Sequence, residues 1–481
     1  MELTQENFKK DKSNEPPDHI QIDLEFIQKL SDAHDFTIAG IFYQFYGKKH
    51  RFVRDDGYWL YFLDGYWIPD ARAQELYSSF RDLRERLIEI QKQFSNLLVE
   101  QIIRKLSNNK SLSHIIKTLC QLSEITITHN DLNKYEHLFA CTNGVYNTET
   151  YSFIKSENTL RQLYLTLKAH VHYKPNAQCP KWISFLNKIF MNDSDLIRYV
   201  QKCVGLSLSG KIMEEKLFFA FGSGANGKTT FFEVLRYIFY NFHKEIDASI
   251  LIKTRQSDQR LIMENLANLR GVRIATSNEI PERSTYNDSL VKQLCSRDEI
   301  SAKQIFKSVT TFVPSHKLWI RSNHKPVFNI RDYGMLRRII LIPFQVEIPE
   351  SDRIENYELE LFPEAAGILN WIIEGWKLYR AEKLQYIPPA IRVYMDDYVN
   401  ECDSISQFLS ECTFTVEYQN IRLTDLCAAY NKWSKMNNFK LIDSRTLSNS
   451  LKKAGYIVFP GTGNIRYVKG LSVTTEDSYY S

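Results

Sequence analysis

Gly222-Ser-Gly-Ala-Asn-Gly-Lys-Thr-Thr230 is the stretch on which the reading of this chain turns. It fits G-x-x-x-x-G-K-[ST], a loop whose backbone N–H groups surround the phosphates of a nucleotide while the lysine neutralises the outer ones. The flanks supply the context that such a loop needs. Lys216-Leu-Phe-Phe-Ala-Phe221 is a short apolar run that reads as a buried strand, and Thr229 to Phe242 carries apolar residues at helical spacing (Phe232, Leu235, Ile238, Phe239). A helix N-terminus and loop amides together form an anion site. Gly222, Ser223, Gly224, Ala225, Asn226, Gly227, Lys228, Thr229 and Thr230 are therefore the expected contacts of a nucleoside triphosphate.

The bulk composition bounds what surrounds this loop. A chain of 481 residues holds about three domains, and 43% hydrophobic with 13% aromatic residues is enough for sizeable cores. Lys and Arg number 61 against 57 Asp and Glu, a formal net charge of +4, so any nucleic-acid surface must be local. The 8 cysteines are scattered without a C-x-x-C pair, which favours reduced thiols in a cytosolic protein over a zinc ribbon or disulfide framework. No apolar run approaches the roughly 18 residues of a membrane span. Met1 to Pro17 is polar, without a signal-peptide core, and reads as a disordered leader. A cytoplasmic location and no membrane partner are expected.

Along the chain, Ile20 to Phe45 suggests one or two helices, and Phe52 to Ile68 alternates aromatic and polar residues around Asp55-Asp-Gly57 and Asp64-Gly65, a hairpin signal. Ala71 to Ser107 reads as one long helix, unbroken by Gly or Pro. Trp182 to Phe190, Leu196 to Leu208 and Ala365 to Glu382 are helical, with Pro388-Pro389 as a break. The expected divisions are 1–50, a leader and helical segment; 51–205, a mainly helical α+β region; 206–350, the nucleotide-binding core; 351–403, a helical linker; and 404–481, a winged-helix-like unit.

Hydrolysis asks for more than a phosphate loop: a carboxylate to orient water, a polar group at the γ-phosphate and a positive charge for the transition state. Each has a candidate. Val272-Arg-Ile-Ala-Thr-Ser277 is strand-like and runs into Asn278-Glu279; Leu318-Trp-Ile-Arg-Ser-Asn323 is another strand, ending in an amide; Arg337-Arg338 precedes the apolar run Ile339 to Pro343. Taken singly, a glutamate after a strand is usually a surface residue, an asparagine at a turn is turn chemistry, and paired arginines form salt bridges. Behind a well-placed phosphate loop they support one another.

The order and wording of these stretches resemble superfamily 3 DNA helicases, in the branch of phage, plasmid and poxvirus primase–helicases. The matching stretches are Phe221 to Thr230, Leu269-Arg-Gly-Val-Arg273 through Glu279, Asp298-Glu-Ile-Ser-Ala-Lys303, Phe312-Val-Pro-Ser-His-Lys317, Ser322-Asn-His-Lys-Pro326 and Arg337-Arg-Ile-Ile-Leu-Ile-Pro-Phe344. Asn226 within the loop is favoured by this branch. Asn143-Gly-Val145 and Cys179-Pro-Lys-Trp182 are similar to the domain that precedes the helicase, and Gly367-Ile-Leu-Asn-Trp371 to the segment that follows it. The resemblance implies an α/β fold, an AAA+-like P-loop core, assembled as a homo-oligomeric, hexameric ring on single-stranded and forked DNA, with ATP and Mg²⁺. It implies that Lys228 contacts the β/γ-phosphates, Thr229 the metal, Glu279 the attacking water and the metal, and Asn323 the γ-phosphate or that water. One of Arg337 and Arg338, Arg338 by a small margin, would reach a neighbour's nucleotide. Many such ATPases carry two adjacent acids, whereas here Asn278 precedes Glu279.

For DNA the candidates lie in two places. Ser301 to Phe312 resembles a hairpin that projects into the ring's channel, where Lys303 and Lys307, with Lys317 beyond, would contact phosphates without reading sequence. The C-terminal unit reads as a winged helix: Leu423 to Met436, then Ser444 to Ala454 with Ser444 as N-cap, then a wing from Gly455 to Phe459 and Asn464 to Val468. Arg445, Lys452 and Lys453 on its second helix suit duplex contact; a packing module is the alternative. The leading function is an ATP-driven replicative helicase of a phage or other mobile element. An origin-binding assembly factor that uses ATP without unwinding, or the helicase part of a primase–helicase, is the competitor. A primase, for which no zinc cluster or compact acidic triad is evident, would be a separate partner.

Overall fold

The computed structural model describes residues 29–253, 258–277, 286–303, 309–326, 328, 333–402, 404–437, 439, 441–461, 463 and 465–473. The expected leader and the start of the first helical segment lie outside them. The described chain opens on α1 (Asp35–Tyr46) and two hairpins made by β1 (His50–Val53), β2 (Tyr58–Leu63) and β3 (Tyr66–Pro69). Asp64 and Gly65, with φ of 51° and 85°, form the tight turn between β2 and β3, which needs two left-handed residues.

The long helix expected over Ala71 to Ser107 is broken. It comprises a 3₁₀ turn (Ala71–Ala73), α2 (Gln74–Gln93) and α3 (Leu97–Ser107). Asn96 Oδ1 accepts from Leu98 N (2.8 Å) and Val99 N (3.2 Å), so a new helix is capped inside the run. The break lets Leu76, Phe80, Leu83 and Leu87 share a cluster with Val99, Ile102 and Leu106. Then come α4 (Asn109–Leu119), β4 (Thr126–Ile127) parallel to β1, an antiparallel sheet of β5 (Leu138–Cys141), β6 (Gly144–Asn147) and β7 (Phe153–Ile154), and helices α5 (Glu157–Gln162), α6 (Pro180–Ile189) and α7 (Ser194–Gly205).

The central unit runs β8 (Leu217–Phe221), α8 (Lys228–Phe239), β9 (His243–Ile246), α9 (Gln259–Ala267), β10 (Ile274–Ser277), α10 (Asp288–Cys295), β11 (Ile300–Lys303), β12 (Val309–Phe312), β13 (Lys317–Ser322), α11 (Tyr333–Leu336) and β14 (Ile339–Pro343). Five strands form a sheet in the order β14-β8-β13-β10-β9, each pair parallel, while β11 and β12 make a separate antiparallel hairpin. Parallel strands covered on both faces are apolar at almost every position, and all five residues of β8 and of β14 are buried. Strand alternation sends Phe218 and Ala220 into one core cluster and Leu217, Phe219 and Phe221 into the other.

The first of those clusters does not stop at the sheet. It joins Val53, Leu60 and Trp67 to Trp182, Tyr199, Phe231, Trp319 and, from α13 (Ala365–Glu382), Trp371 and Trp376. Helices α7 and α13 meet through glycines: a Cβ on Gly375 would lie 2.1 Å from Gln201 O, and one on Gly205 2.3 Å from Trp376 N. A short α12 (Glu358–Leu361) precedes α13, and α14 (Pro389–Cys402) follows it. The C-terminal unit has α15 (Ser404–Cys412), β15 (Thr413–Arg422), α16 (Leu423–Met436), α17 (Ser444–Lys453), β16 (Val458–Pro460) and β17 (Arg466–Val473), with strand order β15-β17-β16 and a core of its own. Asp443, not Ser444, caps α17: its Oδ1 accepts from Thr446 N at 2.7 Å. Among the described residues no helix is long and apolar enough to cross a membrane.

Candidate nucleotide site

Because β8 lies between β13 and β14, the loop leaving its C-terminal end is flanked by the residues that follow those two strands. Gly222 makes the first turn at φ +151°, where a Cβ would lie 1.9 Å from Phe344 O. Gly227, at φ +81°, opens α8 with its Cα so close to α6 that a Cβ would meet Ile189 Cγ2 at 2.5 Å. Asn226 is 3% exposed and braces the loop from within. Its Nδ2 donates to Ser223 O and to Phe344 O (2.9 Å), and its Oδ1 accepts from Lys228 N (3.3 Å). The asparagine that singled this loop out thus braces the loop from within as well as lining its cavity.

Lys228 is buried at the base of the loop. Its ammonium donates to Gly222 O, to Ser223 O at 3.4 Å and to Asn323 Oδ1 at 3.1 Å. Asn323 follows β13 directly, so the parallel pairing of β8 and β13 brings the two together. Gly224, Thr229, Thr230 and Asn323 line a cavity of about 530 Å³ with Lys228. The lining also includes residues that no motif marks: Phe185 and Lys188 on α6, and Ile348, Asp352, Arg353, Ile354 and Tyr357 after β14. No spacing in the sequence ties them to the loop; tertiary packing does.

Glu279 lies outside the described residues, as do Lys307 and the side chains of Lys303 and Lys453. Arg337 and Arg338 precede β14. Both reach Glu215 Oε2, Arg337 Nη2 at 3.4 Å and Arg338 Nη2 at 2.5 Å, and Arg338 Nη1 also donates to Gly334 O at 2.6 Å. The Arg337 side chain is 54% exposed and that of Arg338 10%, so Arg337 is the more open of the two.

Lys317 requires a correction. It is buried at the start of β13, with its ammonium donating to Ser209 O, Lys211 O (3.0 Å) and Ser315 O (3.1 Å), and burial pushes its pKa well below the usual lysine value. Held by three carbonyls, it offers no charge to a DNA phosphate. On α17, Arg445, Asn449 and Lys452 are exposed on the face opposite buried Leu447 and Leu451.

The region before the sheet is similar to one known family, and most of the chain is similar to viral proteins described as putative helicases. Residues 39–191 match the family described as D5 N terminal like. Among individual proteins, the chain is 23% identical over 420 residues to "Putative helicase L207/L206" of Acanthamoeba polyphaga mimivirus, covering 83% of this chain and 43% of that protein. It is 24% identical over 274 residues to "Putative helicase 184R" of Invertebrate iridescent virus 6, covering 55% of this chain and 27% of the relative. This chain therefore spans less than half the length of these relatives. Among solved structures, an apo A form of the NrS-1 C-terminal region aligns with TM-score 0.52 at 12% identity, and a second apo structure of that region (305–718) with 0.50 at 10%. Each alignment covers 92% of this chain and all of the other, and shows a shared fold alone.

Proposed function

We propose that this chain is an ATP-hydrolysing DNA helicase of superfamily 3, with an AAA+-like P-loop core, working as a hexameric ring in the replication of a phage or virus. The observation that carries this is the Lys228 ammonium 3.1 Å from Asn323 Oδ1 at the base of the loop cavity, two groups 95 residues apart in sequence. The strand order, with the loop strand between β13 and β14, suits the AAA+-like reading. Gly222 turns against Phe344 O where any side chain would collide, so only glycine lets the loop leave β8 along this path.

In this reading Lys228 neutralises the β/γ-phosphates, Asn323 holds the γ-phosphate or the attacking water, and Glu279 polarises that water. Thr229 is the group that would hold Mg²⁺, whose role when bound is to neutralise phosphate charge; with Asn278 in place of a second acid, water would complete its shell. Arg337 acts in trans. The register Ile339↔Leu217 to Pro343↔Phe221 sets it beside the start of β8, about 17 Å of strand away from Gly222, too far for its own loop. Lys303 and Lys307 track single-stranded DNA, and Arg445, Lys452 and Lys453 contact duplex at a fork. A primase or other replication protein works with it, in the host cytoplasm.

The test is strand displacement on a 3′-tailed fork with ATP and Mg²⁺, comparing the wild type with Lys228→Ala. Unwinding by the wild type alone is expected. If neither unwinds while the wild type hydrolyses ATP and binds single strands, the assembly-factor reading takes its place.

A further inference from the structure

The segment between β14 and α12 is fastened to the phosphate loop at several points. Phe344 N donates to Phe221 O at 2.8 Å, Ile348 N to Ala225 O at 2.9 Å, and Asn226 Nδ2 to Phe344 O at 2.9 Å. Further along, Lys188 Nζ lies 3.5 Å from Asp352 Oδ2, tying α6 to the segment, and Arg353 Nε donates to Ile348 O at 2.9 Å. The Tyr357 ring sits 5.9 Å from that of Phe185, and just beyond α12 Phe362 stacks on Tyr237 of α8 at 4.1 Å and 10°. The segment is therefore a wall held at one end to the phosphate loop and at the other to the helix that begins in it. It lines the loop cavity with Ile354, 55% exposed, and half-buried Tyr357.

We propose that this wall seats the nucleobase of the bound nucleotide, with Tyr357 as the stacking surface, Phe185 packed behind it and Ile354 at its edge. The inference rests on the reading that the loop binds a nucleoside triphosphate. The loop takes the phosphates through its amides and Lys228, and what extends beyond them in the same cavity is a nucleoside, whose base is its one broad apolar face. Exposed Ile354 and half-buried Tyr357 give the cavity an apolar surface that the protein covers only in part. An aromatic face accepts any base and is sequence-tolerant by nature.

The test is calorimetric titration of the full chain with ATP and, separately, with inorganic tripolyphosphate, which has the phosphates and no base. Tyr357→Ala should weaken ATP about tenfold or more, the loss of one base–aromatic stack, and leave tripolyphosphate unchanged. Tyr357→Phe should keep wild-type affinity for both, and Lys228→Ala should lose both. Equal loss of ATP and tripolyphosphate in Tyr357→Ala would mark the tyrosine as structural and overturn the proposal, as would no loss of either. Failure of the wild type to bind both ligands would instead overturn the nucleotide reading itself.

Discussion

Gly222 and Asn226 sit in one loop and serve it differently. At Gly222 the backbone adopts φ +151°, and a Cβ would lie 1.9 Å from Phe344 O. Gly222→Ala should therefore cost about 1–3 kcal/mol in backbone strain alone and abolish the thermal stabilisation of the protein by ATP. An alanine variant that still shifts its melting temperature with ATP would contradict the geometry. The two arginines before β14 separate on exposure. Arg337→Ala should cut ATP turnover about 10³-fold, the scale of a trans-acting arginine, without lowering the melting temperature. Arg338→Ala, which leaves Glu215 without its nearest partner, should lower stability by about 1–3 kcal/mol. Mixing Arg337→Ala with Lys228→Ala protein should regain part of the turnover, because one kind of neighbouring pair then has both an intact loop and an intact arginine. No recovery on mixing would argue against action between subunits.

Among the elements, β9 and β10 carry a buried titratable group into the centre of the fold. His243 Nε2 is 2.8 Å from Thr276 Oγ1, and burial pushes its pKa from 6.5 down to about 4. His50 and His316, also buried, are pushed down to about 3. In the unfolded chain each ring takes up a proton as pH falls through 6.5, whereas in the folded chain it stays neutral until about 4 or 3. Unfolding therefore gains protons as pH falls below 6.5, and stability present above that pH is lost progressively toward the folded values. Between pH 7.5 and 5.5 the loss should be about 1 kcal/mol per histidine, read as a lower urea midpoint. A midpoint that rises on acidification would refute it. At this scale the sequence was legible where one pattern dominates. Apolar runs gave β8, β13 and β14 to within a residue or two, and helical periodicity gave α13 and α16 with their full bounds. The pattern failed over Ala71 to Ser107, where helical periodicity continues across a break that one capping asparagine makes, and at β15, which pairs with β17 across a long separation.

For the whole molecule, the arrangement of cores sets what can be removed. The N-terminal strands, the sheet and α13 share one hydrophobic cluster, whereas the C-terminal unit from α15 to β17 has a separate one. Deleting residues 404–481 should leave nucleotide affinity within about twofold and the main unfolding transition in place, while weakening duplex binding roughly tenfold or more. Unchanged duplex binding would assign that unit to packing or protein contact. Lys317 teaches the same lesson from the other side: in sequence it is one more lysine near a basic hairpin, and only the folded chain surrounds it with three carbonyls.

By itself the sequence determined the local geometry of the phosphate loop, because glycines at positions of positive φ, a lysine and a following helix are short-range constraints that spacing records. It also determined the strands that carry Asn323 and the arginine pair, since each is a continuous apolar run. Only the tertiary structure decided which of the two arginines is exposed, that Lys317 is interior, and that Phe185 and Tyr357 stand against the loop cavity. Those facts depend on which strands lie side by side and which helices press on them, and contacts between distant segments leave no periodic trace in the chain.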